Sequence, residues 1–208
     1  MEVAKGLIQL LLVSVIGVAL STMVFEYQRS RQLQDQVAER RRRFAEHRSD
    51  LIKDLLSRAI ESYAGVKRER RLLRARGVAA IEDCPTLKPE PYDSCMEAVS
   101  DAQLRIEGVR RDIQTASALF GDAGSLVVDL QRMDEFLSSL IAEFERSSKL
   151  PRRADGSIVI KALPQISDFL QPFAASSFGR EFAEPFRSVL AQLRTALLQD
   201  PPHLDQVS

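Results

Sequence analysis

The chain has 208 residues, of which 45% are apolar and 28% charged, with 29 basic and 29 acidic side chains. That length holds an anchor and one modest core, not two large domains. The composition excludes a wholly disordered chain, a collagen-like repeat, a disulfide-dense scaffold and a uniformly basic nucleic-acid binder. Two Cys and two His leave little material for metal or nucleophile chemistry.

The chain divides by sequence into a short tail (1–5), an apolar run (6–25), a basic stalk (26–49), a bundle domain (50–199) and a loose tail (200–208). Residues 6–25, GLIQLLLVSVIGVALSTMVF, carry no charge. As a helix, twenty residues rise by ~30 Å, the thickness of a bilayer's hydrocarbon core, and satisfy their own backbone groups. The expectation is a single transmembrane helix. A buried core helix and a cleaved signal peptide ending near Ser21 are the alternatives, but the run continues past that point to Phe25. Arg29 and Arg31 follow, then Arg40, Arg41, Arg42 and Arg43. Basic residues flanking a span favour the cytoplasmic side, so the body is expected in the cytoplasm of a bacterium, anchored in the inner membrane.

Charge is segregated beyond the span: residues 26–76 carry a net +7 and residues 77–208 a net −7. The six stalk arginines are candidates for contact with anionic headgroups, each contributing ~1 kcal/mol when close to the surface. The plain alternative is a solvated helix with i,i+4 pairs. A second basic cluster, KRERRLLRAR at 67–76, places Lys67, Arg70, Arg71 and Arg74 on one helical face. Neither cluster has interleaved aromatics or a reading motif, which disfavours nucleic acid as a partner.

Helical spacing marks Leu51, Leu55, Ala59, Tyr63, Val66 and Leu73, with Gly77 as the stop. EDCPTLKPEPYDSC, with three prolines, predicts a loop, and Ser94-x-x-Glu97 a capping box opening the next helix. That helix has a seam of Val99, Ala102, Ile106, Val109, Ile113, Ala116 and Phe120. After a short turn Ser125 caps a second seam: Leu126, Leu130, Met133, Leu137, Leu140 and Phe144. Two such helices joined by so short a turn must lie antiparallel. Residues 149–165 break the pattern and predict an ordered loop or small β-ribbon around Asp155-Gly156. A short helical piece precedes Pro172, and a last helix runs to Gln199 with Phe186, Leu190, Leu193 and Leu197 inward. The expected fold is all-α: a transmembrane helix, a charged helical stalk and an antiparallel bundle of about four helices.

Chemistry is sparse. Phosphate-binding glycine loops, nucleophile elbows and His-based metal motifs are absent from the sequence. His47 sits in the stalk and His203 in the tail. Asp129, Asp134, Glu135, Glu143 and Glu145 lie off the apolar seam and read as a solvated face. Cys84 and Cys95 bracket the proline-rich loop; they would be thiols in the cytoplasm and could form a disulfide in the periplasm. No catalytic, metal or cofactor site is expected. The functional expectation is a membrane-anchored interaction or scaffold module without catalytic activity, contacting anionic lipid, a protein partner or its own copies. The alternative is a periplasmic sensor bundle with a Cys84–Cys95 disulfide and a small ligand between its helices.

Overall fold

The structure is a computed structural model that describes the backbone of residues 2–81 and 84–199; of these, the side chains of residues 2–20, 22, 80, 81 and 84 are outside the description. Contacts divide the chain into two units, residues 1–48 and 49–208. Helix α1 spans Glu2–Leu72. Its rich supply of Ala, Leu, Glu, Gln and Arg and its lack of proline favour an unbroken helix. Among the described residues no helix is long and apolar enough to cross a membrane. The predicted span falls mainly on residues 6–20 and 22, whose side chains lie outside the described ones.

The second unit is mostly helical, as the seams predict. Helices α2 (Pro89–Thr115) and α3 (Ala123–Ser147) pair, and α5 (Glu184–Leu198) joins them. Val99, Ala102, Ile106, Val109 and Ile113 are buried on α2, and Leu126, Leu130, Met133, Leu137 and Leu140 on α3. The pairing is antiparallel. Tyr92 meets Phe144 edge-on at 5.1 Å, Gln103 donates to Asp134 at 3.1 Å and Ser138 at 2.7 Å, and Arg110 pairs with Asp134 at 3.3 Å. From α1, Ile52, Leu55, Ala59 and Val66 enter the same core, while Arg58 bridges to Asp112 of α2 at 2.5 Å.

Three local expectations are corrected. First, the proline-rich stretch is not a loop. Strands β1 (Val78–Ile81) and β2 (Cys84–Leu87) pair antiparallel, and β3 (Ile158–Val159) adds to β2 through Thr86↔Val159 and Leu87↔Ile158. The fold therefore carries a small three-stranded sheet, in the order β1-β2-β3, on an otherwise helical bundle. Pro85 is tolerated because β3 reaches only Thr86 and Leu87, so the missing N–H falls where β2 has a single neighbour. Second, α2 begins at Pro89, ahead of the Ser94 capping box. Proline fits the first turn, where amide groups have no intrahelical acceptor. Third, Asp122 rather than Ser125 caps α3, its carboxylate accepting from the Ser125 amide at 3.0 Å.

Between α3 and α5 the chain crosses the bundle as a strap. The Asp155-Gly156 turn closes through Arg153 N–H to Ser157 O at 2.9 Å, with Gly156 at φ +78°. The Ser157 hydroxyl and amide both donate to Asp155, holding its carboxyl below the usual range. A six-residue helix, α4 (Pro164–Phe169), follows, and a wide π-type turn at Phe178–Ala183 leads into α5. A similar turn, Leu73–Gly77, carries α1 into β1.

Candidate functional site

The stalk residues proposed for lipid contact, Arg29, Arg31, Arg40, Arg41, Arg42 and Arg43, are all exposed on α1. Arg42 pairs with Glu46 at 2.9 Å, Arg43 with Glu39 at 2.5 Å, and the Arg31 guanidinium lies over Tyr27 at 5.3 Å. Those two ion pairs are worth little in water and leave the cations accessible. His47 is exposed on the same helix, and His203 lies outside the described residues. Cys95 carries a free, buried thiol. Its burial pushes the thiol up to about 12. Cys84 belongs to β2, and its side chain is outside the described ones.

Two charges expected on exposed faces are instead buried, and both act on the strap. Glu143 is only 4% exposed. Its two carboxylate oxygens accept from the Gln165 amide at 3.0 Å and the Ile166 amide at 2.7 Å, the free N–H groups of the first turn of α4. Arg70, read from sequence as part of an exposed basic face, is likewise buried. It donates from Nε to the Phe169 carbonyl at 2.6 Å, and from Nη2 to the Gln171 carbonyl and to Ser176 Oγ at 3.5 Å. Its guanidinium also rests over the rings of Phe178 at 4.9 Å and Phe169 at 5.6 Å. Burial, then the neighbouring Arg74, lowers its affinity for its proton, and Asp168 acts in the opposite sense. A guanidinium suits this place because its planar fork can serve several carbonyls at once.

Around that guanidinium lies an aromatic layer. Phe136, Phe169, Phe178 and Phe182 contact one another with centroids 5.5–6.3 Å apart. Tyr63 stacks flat on Phe186 at 4.1 Å. The rings bind the strap to the bundle, and Phe136 among them also lines a polar cleft of about 620 Å³ between α3 and the strap. Arg132, Glu135, Gln165, Asp168, Ser177 and Arg180 line it. Asp168 is already engaged, accepting from the Ser177 amide at 2.8 Å and from its hydroxyl. Mixed charge on an open rim can orient a small polar molecule, but it supplies no desolvated acid–base pair.

A second groove, of about 260 Å³, lies at the open end of the sheet. Val78, Pro85, Ile160 and Leu170 form the apolar part of its lining, and Arg74, Ser167 and Gln171 the polar part. Sequence reading missed both spaces, because each depends on the strap, whose path is set by Glu143 and Arg70 and not by periodicity. Among the described residues no group of three or more His, Cys, Asp or Glu side chains is placed to hold a metal ion. No protein-family model matches the chain, and neither a curated protein nor a solved structure matches it.

Proposed function

We propose that this protein is a non-catalytic interaction module tethered to the bacterial inner membrane by residues 6–25, with its body in the cytoplasm. The observation that carries this reading is the twenty-residue uncharged run followed, on the same helix α1, by six exposed arginines. The run partitions into acyl chains and the arginines stay at the cytoplasmic face, near anionic headgroups. The helical body then presents surface to a protein partner or to its own copies. Exposed Leu33 and Val37 on the stalk favour association of copies.

Membrane extraction and topology test this together. The full chain is expected to stay in the pellet after alkaline carbonate washing. A C-terminal alkaline phosphatase fusion is expected to be inactive, and a C-terminal fluorescent-protein fusion bright. Release into the supernatant overturns the anchor; an active phosphatase fusion overturns the cytoplasmic placement.

One observation favours a second reading, a periplasmic sensor: the 620 Å³ polar cleft between α3 and the strap is large enough for a small ligand. An active phosphatase fusion, with thermal stabilisation by a small zwitterion, would support it.

A further inference from the structure

Arg70, Arg71 and Arg74 stand within electrostatic reach of one another on consecutive turns. Arg70 is buried and held by neutral carbonyls, so its charge is not cancelled by a directly bonded carboxylate. Arg71 and Arg74 are exposed, as is Lys161 beside Ile160 of the groove lining. Among the described residues none of these three cations forms an ion pair. Asp168 is the nearest carboxylate on α4, and it is turned to Ser177. Exposed cations that form no ion pair present a positive field that favours an external anion.

The groove that Arg74 lines is mostly apolar. The inner face of the sheet is sealed where Leu87 and Ile158 are buried, and left partly open at Val78 and Pro85. Val78, Pro85, Ile160 and Leu170 supply its apolar part, Ser167 and Gln171 are polar, and the space is sized for one or two side chains.

We propose that this groove is the docking surface of the module, and that its occupant is an acidic, partly apolar extended segment of a protein partner. Apolar side chains of that segment fill the space between Val78 and Leu170, while its carboxylates meet Arg71, Arg74 and Lys161. The assignment rests on the reading of the protein as an interaction module and names the chemistry of what it holds. The last described residues of the chain lie elsewhere. The end of α5 borders a different cavity, with Phe120, Leu126 and Gln199 among its lining residues. That is the α2–α3 turn, at the opposite end of the bundle from Tyr92 and Phe144, whereas the groove adjoins the sheet.

The test uses the full chain in detergent micelles and a fluorescein-labelled twelve-residue peptide alternating Glu and Val as the probe. Saturable binding that weakens with added salt is expected, and the matching Lys–Val peptide should not bind. Arg71→Glu with Arg74→Glu should weaken binding by roughly tenfold or more, as loss of two rim charges does. Leu170→Asp should weaken it too, whereas Arg105→Glu with Arg111→Glu on α2 should leave it unchanged. Circular dichroism of each variant separates lost docking from lost folding, and Lys161→Glu, on a short exposed turn, serves if the Arg variants unfold. The proposal is overturned by absent or non-saturable binding, or by equal loss in the α2 control. It is also overturned if phosphatidylglycerol vesicles, duplex DNA or a second copy of the chain compete for the same arginines more tightly than the peptide. Carbonate extraction is unaffected by any of these results, so failure here is distinct from failure of the anchor.

Discussion

Glu143 and Arg70 hold opposite ends of one six-residue helix. The carboxylate takes the free amides at the start of α4, and the guanidinium takes the carbonyls at its end. Each charge faces the end of the helix dipole that favours it. A helix this short has no stability of its own, so α4 exists because α1 and α3 each supply a buried ion to finish it.

Removing the carboxylate should therefore loosen the strap. Glu143→Leu leaves the buried Ile166 amide and the part-buried Gln165 amide without acceptors, a loss of about 1–3 kcal/mol in unfolding free energy. Glu143→Gln keeps one acceptor oxygen and should lose less. Urea denaturation of the detergent-solubilised chain distinguishes the two; equal stability of all three proteins would show that the amides find other partners.

Arg70→Met and Arg70→Lys should both destabilise, the lysine only partly compensating because one ammonium cannot reach the Phe169 and Gln171 carbonyls with a planar fork. Hydrogen exchange should quicken across residues 164–183 first and leave the α2–α3 pair protected. Uniform quickening along the whole chain would instead mean that Arg70 stabilises the bundle globally.

Two glycines should respond in opposite directions. At Gly179 an added Cβ would lie 2.6 Å from the Phe173 carbonyl oxygen, so Gly179→Ala forces the backbone apart, with a loss of about 1–3 kcal/mol. At Gly65, inside α1, a Cβ meets nothing within 4 Å, and Gly65→Ala should stabilise by about 0.5–1 kcal/mol. Thermal melts of the two variants read the difference in sign.

Cys95 should resist iodoacetamide at pH 8 until the protein unfolds, since the buried thiol ionises only near 12. The same shift makes stability depend on pH. The thiol's contribution is fully present below its ordinary value of 9.0 and is lost as pH rises from there toward about 12, because only the unfolded chain releases the proton in that window. Tyr92, whose burial also raises its hydroxyl, adds to the decline from about pH 10. Alkaline denaturation of Cys95→Ala should show a shallower fall between pH 9 and 10 than the parent chain.

Periodicity made the seams legible from Val99 to Ile113 on α2 and from Leu126 to Leu140 on α3, because burial along a helix repeats and needs no knowledge of the partner, whereas Ala116 and Phe120 fall past the end of α2. It failed where single residues answer to distant ones. Pro89 and Pro91 suggested a break, yet they fall in the first turn of α2, where proline fits. Glu143 sits one turn from Leu140 and looks like any solvated carboxylate until the strap arrives above it. Arg70 looks like one more member of a basic run. Phe136 is off the a/d seam and is buried by the strap's aromatic residues. The break at 149–165 hints at a ribbon; the pairing of β3 with β2, some seventy residues earlier, carries no local signature.

The grip of Arg70 on Phe169 joins positions 99 residues apart. On the ribosome, α2 and α3 can zip together as soon as both have emerged, whereas the guanidinium waits for most of the domain to be synthesised before its acceptors exist. Until then the growing polypeptide displays the bare Phe136 ring and a charge destined for the interior. Its most vulnerable interval thus comes late in translation, and chaperone demand should peak between the release of Ser147 and the arrival of Ser176.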